Sequence, residues 1–263
     1  MSWNEEKLMH TFNGIRFTTR SSPELLNALV SFDAREDDIL LVSYPKSGTH
    51  WLAEILTHIY ASKVALTSPI EFGDLSKLDQ LDRLSGKRII PTHLDSNLLP
   101  PTFRVKHCKK SKGYRCIHVP LLSRQSKSSH LVCGSWFDHV LSWEKHLHEK
   151  NILFLFYEDM KKDLPKVMKE LSAFLGLNPT ESQIYEICKK SSFNEMKTNT
   201  EKENSDENHT VCVLTSNPKL IFRKGTVGDW KNHFTPKQNR LFEETFKKKM
   251  TFSEVAKHLV YEC

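Results

Sequence analysis

The stretch LLVSYPKSGTHW, Leu40–Trp51, is an apolar run that breaks into a lysine-bearing turn and then resumes with helical spacing. A continuous apolar run is typical of a parallel strand that is covered on both faces. Where such a strand turns into a helix, backbone N–H groups and the helix dipole favour an anion, and a lysine adds a full positive charge. Gly48 would let the backbone approach this ligand, and Ser47 and Thr49 would offer hydroxyl groups. The stretch predicts a phosphate site, against the alternative of a surface turn with an incidental lysine.

The order of residues in this turn separates it from the phosphate loop of nucleotide hydrolases. That loop reads G-x-x-x-x-G-K-[ST], whereas here Lys46 precedes Gly48. A P-loop nucleotide kinase is therefore a weaker alternative, and it would require magnesium. A nucleic-acid binder is weaker still, because the basic residues are not interleaved with exposed aromatic residues and no recognition motif appears.

Composition is compatible with one large domain and an anionic ligand. The 263 residues are 38% hydrophobic, and Lys plus Arg exceed Asp plus Glu by 38 to 32, an excess that favours anions without choosing among them. The cysteines are scattered without a C-x-x-C pair, and no apolar stretch is long enough to span a bilayer. We expect a reduced, cytoplasmic protein with neither a membrane nor a nucleic-acid partner.

Strands alternate with helices along the chain, which predicts an α/β fold with a mostly parallel central sheet flanked by helices. Strands are predicted within Asp38–Tyr44, Lys87–Leu94 and Asn151–Asp159, and a helix from about Thr49 to Tyr60. Ligands of such sheets lie outside the carboxyl ends of the strands. We therefore expect Pro45–Thr49, His93 and Tyr157 around one crevice. The polar stretch Asn199–Lys219 is predicted to be a loop.

A second basic segment, Ile221–Phe234, reads IFRKGTVGDWKNHF. Arg223 and Lys224 stand beside Gly225, and adjacent basic groups next to a glycine can hold a terminal phosphate together with backbone N–H groups. Taken alone, the segment is equally compatible with an ordinary basic loop.

Together these stretches resemble the cytosolic sulfotransferases. The family's 5′-phosphosulfate loop matches PKSGTHW, and its 3′-phosphate segment matches RKGTVGDW. THL at 92–94, FYEDM at 156–160 and SSFNEMK at 191–197 also match, in the family's order. The resemblance implies a P-loop-like sulfotransferase fold, with residues 1–263 as one domain whose core spans about 30–260.

The family moves a sulfonyl group from 3′-phosphoadenosine 5′-phosphosulfate (PAPS) to a small phenol, alcohol or amine, and the transfer needs no metal. By this resemblance His93 is the catalytic base, and Lys46 stabilises the bridging oxygen as the bond breaks. The positions that the resemblance assigns to PAPS binding are Lys46, Ser47, Gly48, Thr49, His50, Trp51, Tyr157, Ser191, Ser192, Phe193, Met196, Arg223, Lys224 and Gly225.

The chain departs from the family between Cys108 and Cys133. This atypical segment, 109–132, is shorter than the family's connection and lacks the Arg-Asn-Pro-Lys-Asp that follows a central strand. Arg115 and Ser123 stand eight positions apart, as the family's phosphate-binding pair does, but without that context. We expect the loss of a central strand and of a helix beside the donor. The alternative function is a catalytically inactive relative with an incomplete 3′-phosphate site.

Two further features of the family are only partly present. The dimer motif keeps Lys231 and Thr235 but has Pro236 and Arg240 where the family differs, so a homodimer is possible but its motif is degraded. The acceptor pocket of the family is built by loops, and these are the divergent parts of this chain. Here the sequence predicts only that Glu71–Asp74 and the 199–219 stretch form pocket walls.

Overall fold

The central sheet consists of β3 Ile39–Ser43, β4 Ile89–Thr92, β5 Arg115–Val119 and β6 Ile152–Phe154. These strands are parallel and lie in the order β4–β3–β5–β6. A separate antiparallel hairpin pairs β1 Met9–Phe12 with β2 Ile15–Thr18. The computed structural model describes residues 8–60, 68–105, 115–119, 132–203, 225–228, 232 and 234–259. The predicted α/β class with a parallel sheet is confirmed.

Helices pack on both faces of this sheet. Their bounds are α1 Pro23–Leu29, α2 Thr49–Tyr60, α3 Ser76–Arg83, α4 Thr102–Val105, α5 Trp136–Glu144, α6 Tyr157–Lys162, α7 Leu164–Phe174, α8 Glu181–Lys190, α9 Phe193–Glu203, α10 Pro236–Met250 and α11 Glu254–His258. In the described ranges, no helix is both long and apolar enough to cross a lipid bilayer.

Strand β3 is buried on both faces, as its unbroken apolar run predicts. Leu40 and Val42 belong to the apolar cluster that includes α1, whereas Ile39 and Leu41 belong to the cluster that includes α2 and α7. Successive side chains of a strand point to opposite faces, so each cluster receives alternate residues. Burial on both faces fixes β3 inside the sheet, and the chain becomes exposed again at Lys46, three residues after the strand ends.

Strand β5 lies where the atypical segment was expected to leave a gap. It pairs with β3 from Ile39↔Arg115 to Ser43↔Val119, and its other edge pairs with β6. The expected loss of a central strand is therefore wrong. Cys116, Ile117 and Val119 supply the apolar residues that a strand between two neighbours needs. The helix that was also expected to be lost would fall on 120–131, outside the described residues.

Local capping explains where several helices begin. Ser22 accepts a hydrogen bond from the backbone of Leu25 at the start of α1, and Thr180 and Thr235 form capping boxes with Gln183 and Gln238 at the starts of α8 and α10. Each hydroxyl satisfies a backbone N–H that would otherwise lack an intrahelical partner.

Two predicted boundaries differ from the structure. Helix α9 continues to Glu203, so the loop prediction is wrong for 199–203, and the remainder of that stretch lies outside the described residues. A helix needs no apolar face to continue through polar residues when each adds a backbone hydrogen bond. Strand β6 ends at Phe154, and α6 begins at Tyr157, because residues 156–160 already form a helical turn.

Candidate active site

The turn between β3 and α2 contains two residues with positive φ. The backbone N–H of Ser47 donates to the carbonyl of Tyr44 at 3.1 Å, which closes the turn. Lys46 has a φ of 67° and Gly48 a φ of 97°. A Cβ atom at Gly48 would lie 3.1 Å from ring carbon Cδ2 of Tyr157. Glycine is therefore required by both the backbone and the neighbouring ring, and the predicted proximity of this turn to Tyr157 is found.

The first turn of α2 presents hydroxyl groups and no negative charge. Thr49 begins the helix, and its hydroxyl hydrogen-bonds that of Ser43. Ser47 and Thr49 are buried, His50 is half-buried, and this turn contains no acidic residue. The positive end of the helix dipole is consequently not neutralised from within α2, which is the condition for binding an anion.

His93 directly follows β4 and lies at the same edge of the sheet as this turn. Its Nδ1 lies 2.6 Å from the backbone oxygen of Ser43. Because a carbonyl oxygen can only accept, Nδ1 carries the proton, and the neutral ring keeps Nε2 as an acceptor. The ring is buried and packs edge-on against Phe72, with centroids 5.9 Å apart. The contact to Ser43 therefore uses Nδ1, and the basic nitrogen Nε2 is not part of it.

Burial shifts the pKa of both predicted catalytic side chains. The pKa of His93 is lowered from 6.5 to about 4, first by burial and further by the charge of Lys46, against the hydrogen bond to Ser43. Burial also lowers the pKa of Lys46. At neutral pH the His93 ring is uncharged and able to take a proton. Lys46 forms no salt bridge with any described residue, so its charge is available to an anionic ligand.

Trp51 connects α2 to the segments that carry the other predicted nucleotide positions. Its Nε1–H donates to the backbone oxygen of Ser191 at 2.8 Å. Its ring meets that of Tyr157 edge-on, with centroids 5.3 Å apart. The Nζ of Lys161 lies 5.5 Å from the Trp51 ring centroid, within the range of a cation–π contact. The structure thus brings Trp51, Tyr157 and Ser191 together, as predicted.

The serines at the end of α8 differ in their surroundings. Ser191 is fully buried, and its hydroxyl has no hydrogen-bond partner in the ranges that the structure describes. Ser192 is exposed and accepts from the backbone of Glu195, which caps α9. Met196 is buried, which is compatible with plain core packing. A buried hydroxyl without a partner is costly, so Ser191 is the serine here that a ligand would satisfy.

Gly225, in the second basic segment, lies against Phe193 at the start of α9. It has a φ of 65°, and a Cβ atom there would lie 2.4 Å from Cδ2 of Phe193. No larger residue fits without moving that ring. The structure therefore brings Gly225 to Phe193. The predicted phosphate ligands Arg223 and Lys224 lie outside the described residues.

Arg115 lies at the wrong edge of the sheet to replace the family's phosphate-binding arginine. It is the first residue of β5 and pairs with Ile39, the first residue of β3. Lys46 and His93 follow the opposite, carboxyl ends of β3 and β4. Strands of this length span about 13–17 Å, so the backbone of Arg115 lies at the far end of the sheet from the Pro45–Thr49 turn. Ser123 itself lies outside the described residues.

Two side chains at this end of the sheet were missed by the sequence analysis: Glu71 was predicted only as part of a pocket wall, and Lys161 was not predicted at all. Glu71 is fully buried and hydrogen-bonds both the Thr92 hydroxyl and the backbone N–H of His93. Lys161 lies over Trp51. The signal for Glu71 is an acidic residue in the largely apolar stretch SPIEF. The signal for Lys161 is its four-residue spacing from Tyr157, which places both on one face of a helix.

Comparison with known sequences identifies relatives along most of the chain. The model of the sulfotransferase domain matches residues 36–110 and 121–254. The residues between the two matched ranges, 111–120, lie inside the predicted atypical segment 109–132, which is longer than this unmatched stretch. Sulfotransferase 1E1 of Cavia porcellus is 34% identical over 257 residues, 84% of this chain and 85% of that protein. Sulfotransferase 6B1 of Mus musculus is 32% identical over 285 residues, 98% of this chain and 91% of that protein.

Solved structures show the same fold. Mouse sulfotransferase SULT7A1, determined in complex with PAP, has a TM-score of 0.83 and 48% sequence identity, covering 95% of this chain and 96% of its own. Retinol dehydratase, determined with androsterone and PAP, has a TM-score of 0.74 at 18% identity, covering 91% and 88%. The alternative of an inactive relative finds no support in these comparisons. By its motifs, its fold and its relatives, this chain belongs to the sulfotransferase family.

Proposed function

We propose that this enzyme, which moves a sulfonyl group from PAPS to an acceptor, uses His93 as its general base and Lys46 as the cation that stabilises the leaving group. The observation that supports this assignment is the convergence of His93 and the Pro45–Thr49 turn at one edge of the sheet. His93 is bonded through Nδ1 to Ser43, a residue of the same strand that leads into the turn. The proposed base and the proposed anion site are therefore held by one element.

His93 would take the proton of the acceptor's hydroxyl or amine at Nε2. The ring is neutral at pH 7 because burial lowers its pKa to about 4, so Nε2 has a lone pair to offer. The contact to Ser43 fixes the tautomer and limits rotation of the ring. Proton removal makes the acceptor oxygen or nitrogen a better nucleophile for in-line attack.

Lys46, with the backbone of the turn and the dipole of α2, would hold the phosphosulfate and stabilise charge on its bridging oxygen. PAPS supplies the activated sulfonyl group when bound. The residues of the turn fit such a group for two reasons. Gly48 has no side chain to keep a ligand away from the backbone N–H groups, and the first turn of α2 has no acidic residue that would repel an anion. Ser47 and Thr49 would add hydroxyl donors.

The nucleotide part would be held by the residues around Trp51, namely Tyr157, Phe193 and Met196 with the hydroxyls of Ser191 and Ser192. The buried hydroxyl of Ser191, which has no hydrogen-bond partner among the described residues, supports this proposal. So does the contact of Gly225 with Phe193, because Gly225 directly follows Arg223 and Lys224 in the sequence. We propose that these two cations hold the 3′-phosphate. The PAP in the mouse SULT7A1 structure, a relative 48% identical, supports a 3′-phosphorylated nucleotide.

For the acceptor we propose a small phenol, alcohol or amine, and for the location the cytosol. The test is transfer of the sulfonyl group from PAPS to 4-nitrophenol, benzyl alcohol and 2-naphthylamine, detected as the sulfated product by mass spectrometry. Product with at least one acceptor and none without PAPS is the expected result. Failure of every acceptor, in a sample that binds adenosine 3′,5′-bisphosphate, would reject the proposed acceptor class.

Calorimetric titration tests the 3′-phosphate site separately. We expect adenosine 3′,5′-bisphosphate to bind at least tenfold more tightly than AMP, and Arg223→Ala to remove most of that difference, since a charge-assisted hydrogen bond is worth about 1.5–3 kcal/mol. Lys219→Ala, a cation outside the matched motif, is the control and should bind both nucleotides as the unaltered protein does. Equal losses for both ligands in Arg223→Ala would reject the 3′-phosphate role.

A further inference from the structure

A buried carboxylate lies directly behind the proposed base. Glu71 is fully buried. Its Oε1 accepts the backbone N–H of His93 at 2.8 Å, and its Oε2 accepts the hydroxyl of Thr92 at 2.9 Å. The same Thr92 oxygen accepts the backbone N–H of Leu94 at 3.1 Å. One carboxylate thus fixes three consecutive residues, 92–94, at the point where β4 ends.

The segment that carries Glu71 is itself anchored. The Nζ of Lys77 donates to Ser68 Oγ at 2.7 Å, to the Pro69 carbonyl at 2.6 Å and to the Phe72 carbonyl. The backbone N–H of Ile70 donates to the carbonyl of Pro91 at 2.8 Å. Every donor of the Lys77 ammonium group is therefore used by this segment, which leaves Glu71 little freedom to move away from β4.

Burial shifts the pKa values of both Glu71 and Lys77. Burial raises the pKa of Glu71, while hydrogen bonds from its own backbone, from His93 and from Thr92, together with the charge of Lys77, oppose the rise. Burial likewise lowers the pKa of Lys77 to about 8, opposed by Glu71 and Asp74. Burying a carboxyl group costs free energy unless its oxygens are hydrogen-bonded. Here both oxygens of Glu71 accept hydrogen bonds, from the Thr92 hydroxyl and from the backbone N–H of His93.

We infer that Glu71 is a positioning residue for His93: by holding the backbone of residues 92–94, its carboxylate keeps the imidazole bonded through Nδ1 to Ser43 and so keeps Nε2 as the acceptor. Among the described residues, the ring hydrogen-bonds the Ser43 carbonyl and packs against the ring of Phe72. Phe72 belongs to the segment that Lys77 anchors. Both the backbone and the ring of His93 are consequently held by the same 68–72 segment. The inference rests on the proposed function, since it gives Glu71 a role through the base.

The experiment combines rates with a spectroscopic measurement of the His93 tautomer. The variants are Glu71→Gln, which keeps the shape but only one acceptor oxygen, and Thr92→Val, which removes only the hydroxyl. Thr92→Ser restores that hydroxyl and is the rescue variant. Asp95→Asn is the matched control, because its carboxylate also accepts backbone N–H groups in the same loop, those of Asn97 and Leu98 at 2.8 and 3.1 Å, without contacting His93.

We expect kcat to fall about tenfold to a hundredfold in Glu71→Gln, as for loss of orientation of a general base, with less than a twofold change in the acceptor KM and in the Kd for adenosine 3′,5′-bisphosphate. Thr92→Val should show a smaller loss, and Thr92→Ser and Asp95→Asn should match the unaltered enzyme. Because Glu71→Gln and Thr92→Val break the same contact, the double variant should lose less than the product of the two single losses.

Long-range ¹H–¹⁵N spectra of ¹⁵N-histidine-labelled protein report the tautomer, with His93 assigned by the signals that disappear in His93→Asn. The unaltered protein should show His93 protonated at Nδ1, and Glu71→Gln should show a mixture with the Nε2–H form. If the tautomer stays unchanged in both Glu71→Gln and Thr92→Val, the inference is overturned whatever the rates. A common fall of kcat, nucleotide affinity and Tm would also overturn it in favour of a purely structural role.

The tautomer measurement separates this inference from the proposed function. If the unaltered protein binds nucleotide but sulfates none of the acceptors, the proposed function fails, and the tautomer comparison still decides whether Glu71 orients His93. If Glu71→Gln does not fold, Thr92→Val, which removes only a hydroxyl, provides the same comparison.

Discussion

Polar groups at the two ends of the parallel sheet differ in whether the fold itself pairs them. At the amino end, Asp38 and Arg88 precede β3 and β4 and are both fully buried. The Nε and Nη2 atoms of Arg88 donate to the two carboxylate oxygens of Asp38 at 2.7 and 2.6 Å. At the carboxyl end, Lys46 forms no salt bridge and the buried hydroxyl of Ser191 has no partner, as far as the described residues extend.

This contrast separates stabilisation from function along the same strands. A buried ion pair with matched geometry offsets its own desolvation, and removing one partner leaves an uncompensated charge. A site that must bind an anion needs the reverse, donors that the fold itself does not use. Substitutions at the amino end should therefore lower stability and spare the chemistry, whereas substitutions at the carboxyl end should do the opposite.

The largest effect is expected from His93→Ala. Loss of a general base lowers kcat by about 10²–10⁴-fold, while the urea midpoint should change little, because the one hydrogen bond between the imidazole and a described residue is that to the Ser43 carbonyl. Initial rates with the best acceptor and urea denaturation measure the two quantities. His58→Ala, in the last turn of α2, is the control. Residual turnover within tenfold of the unaltered enzyme would show that the carboxyl end does not hold the base.

At the amino end, Arg88→Met should lower the free energy of unfolding by about 3–5 kcal/mol, because it leaves Asp38 buried without its partner. The kcat per folded molecule, counted by nucleotide titration, should stay the same. Lys249→Met is the matched control: it removes an equally short ion pair, to Asp138 at 2.6 Å, that is exposed, and it should cost at most about 1 kcal/mol. A fall of kcat in Arg88→Met would break the proposed division between the two ends.

The buried histidines predict how stability depends on pH. Burial lowers the pKa of His93 to about 4 and that of His139 to about 3. Between these values and pH 6.5, the unfolded chain binds protons that the folded protein does not, so the free energy of unfolding should fall as the pH drops from 7 to 5. Each ring contributes at most about 2 kcal/mol over that range.

Urea denaturation at pH 7, 6 and 5 checks this dependence. In His139→Phe, a ring that does not titrate, the loss of stability on acidification should be smaller than in the unaltered protein. His148→Gln, which removes an exposed imidazole, is the control for replacing a histidine at the surface. Identical slopes for the unaltered protein and His139→Phe would contradict the assignment of a buried neutral ring.

The smallest effect is expected from Gly225→Ala. The added Cβ would overlap the Phe193 ring, so the Kd for adenosine 3′,5′-bisphosphate should rise about tenfold, equivalent to 1.4 kcal/mol. Gly228→Ala is a matched control, because Gly228 also has a positive φ, 78°, but none of the described residues comes within 4 Å of its added Cβ. Backbone strain is common to both variants, so equal changes in Kd would remove the Phe193 contact as the cause.

The parts of the fold and site that could be predicted are those encoded in contiguous residues. The apolar run of β3, the glycine turn and the helical pattern after Thr49 give a strand, a turn and a helix whose limits agree with the structure. His93 could be placed because the carboxyl ends of parallel strands lie at one edge of a sheet.

The features that could not be predicted depend on neighbours distant in sequence. Strand β5 has only five residues, Arg115–Val119, and pairing on both sides by β3 and β6 is what makes it a strand. Glu71 lies 21 and 22 positions from the residues it holds. A single acidic letter in an apolar stretch does not reveal which donors will surround it, so its place behind His93 emerges only from the fold.

The left-handed conformation of Lys46 has a consequence for engineering. A residue with a Cβ at a φ of 67° costs about 1–2 kcal/mol relative to one that tolerates this region. Lys46→Asn should therefore fold more stably while losing the cation proposed for catalysis. Directed evolution that selects only for heat resistance would enrich Lys46→Asn and so select variants without activity. Selection for thermal stability in this protein therefore needs an activity assay in every round.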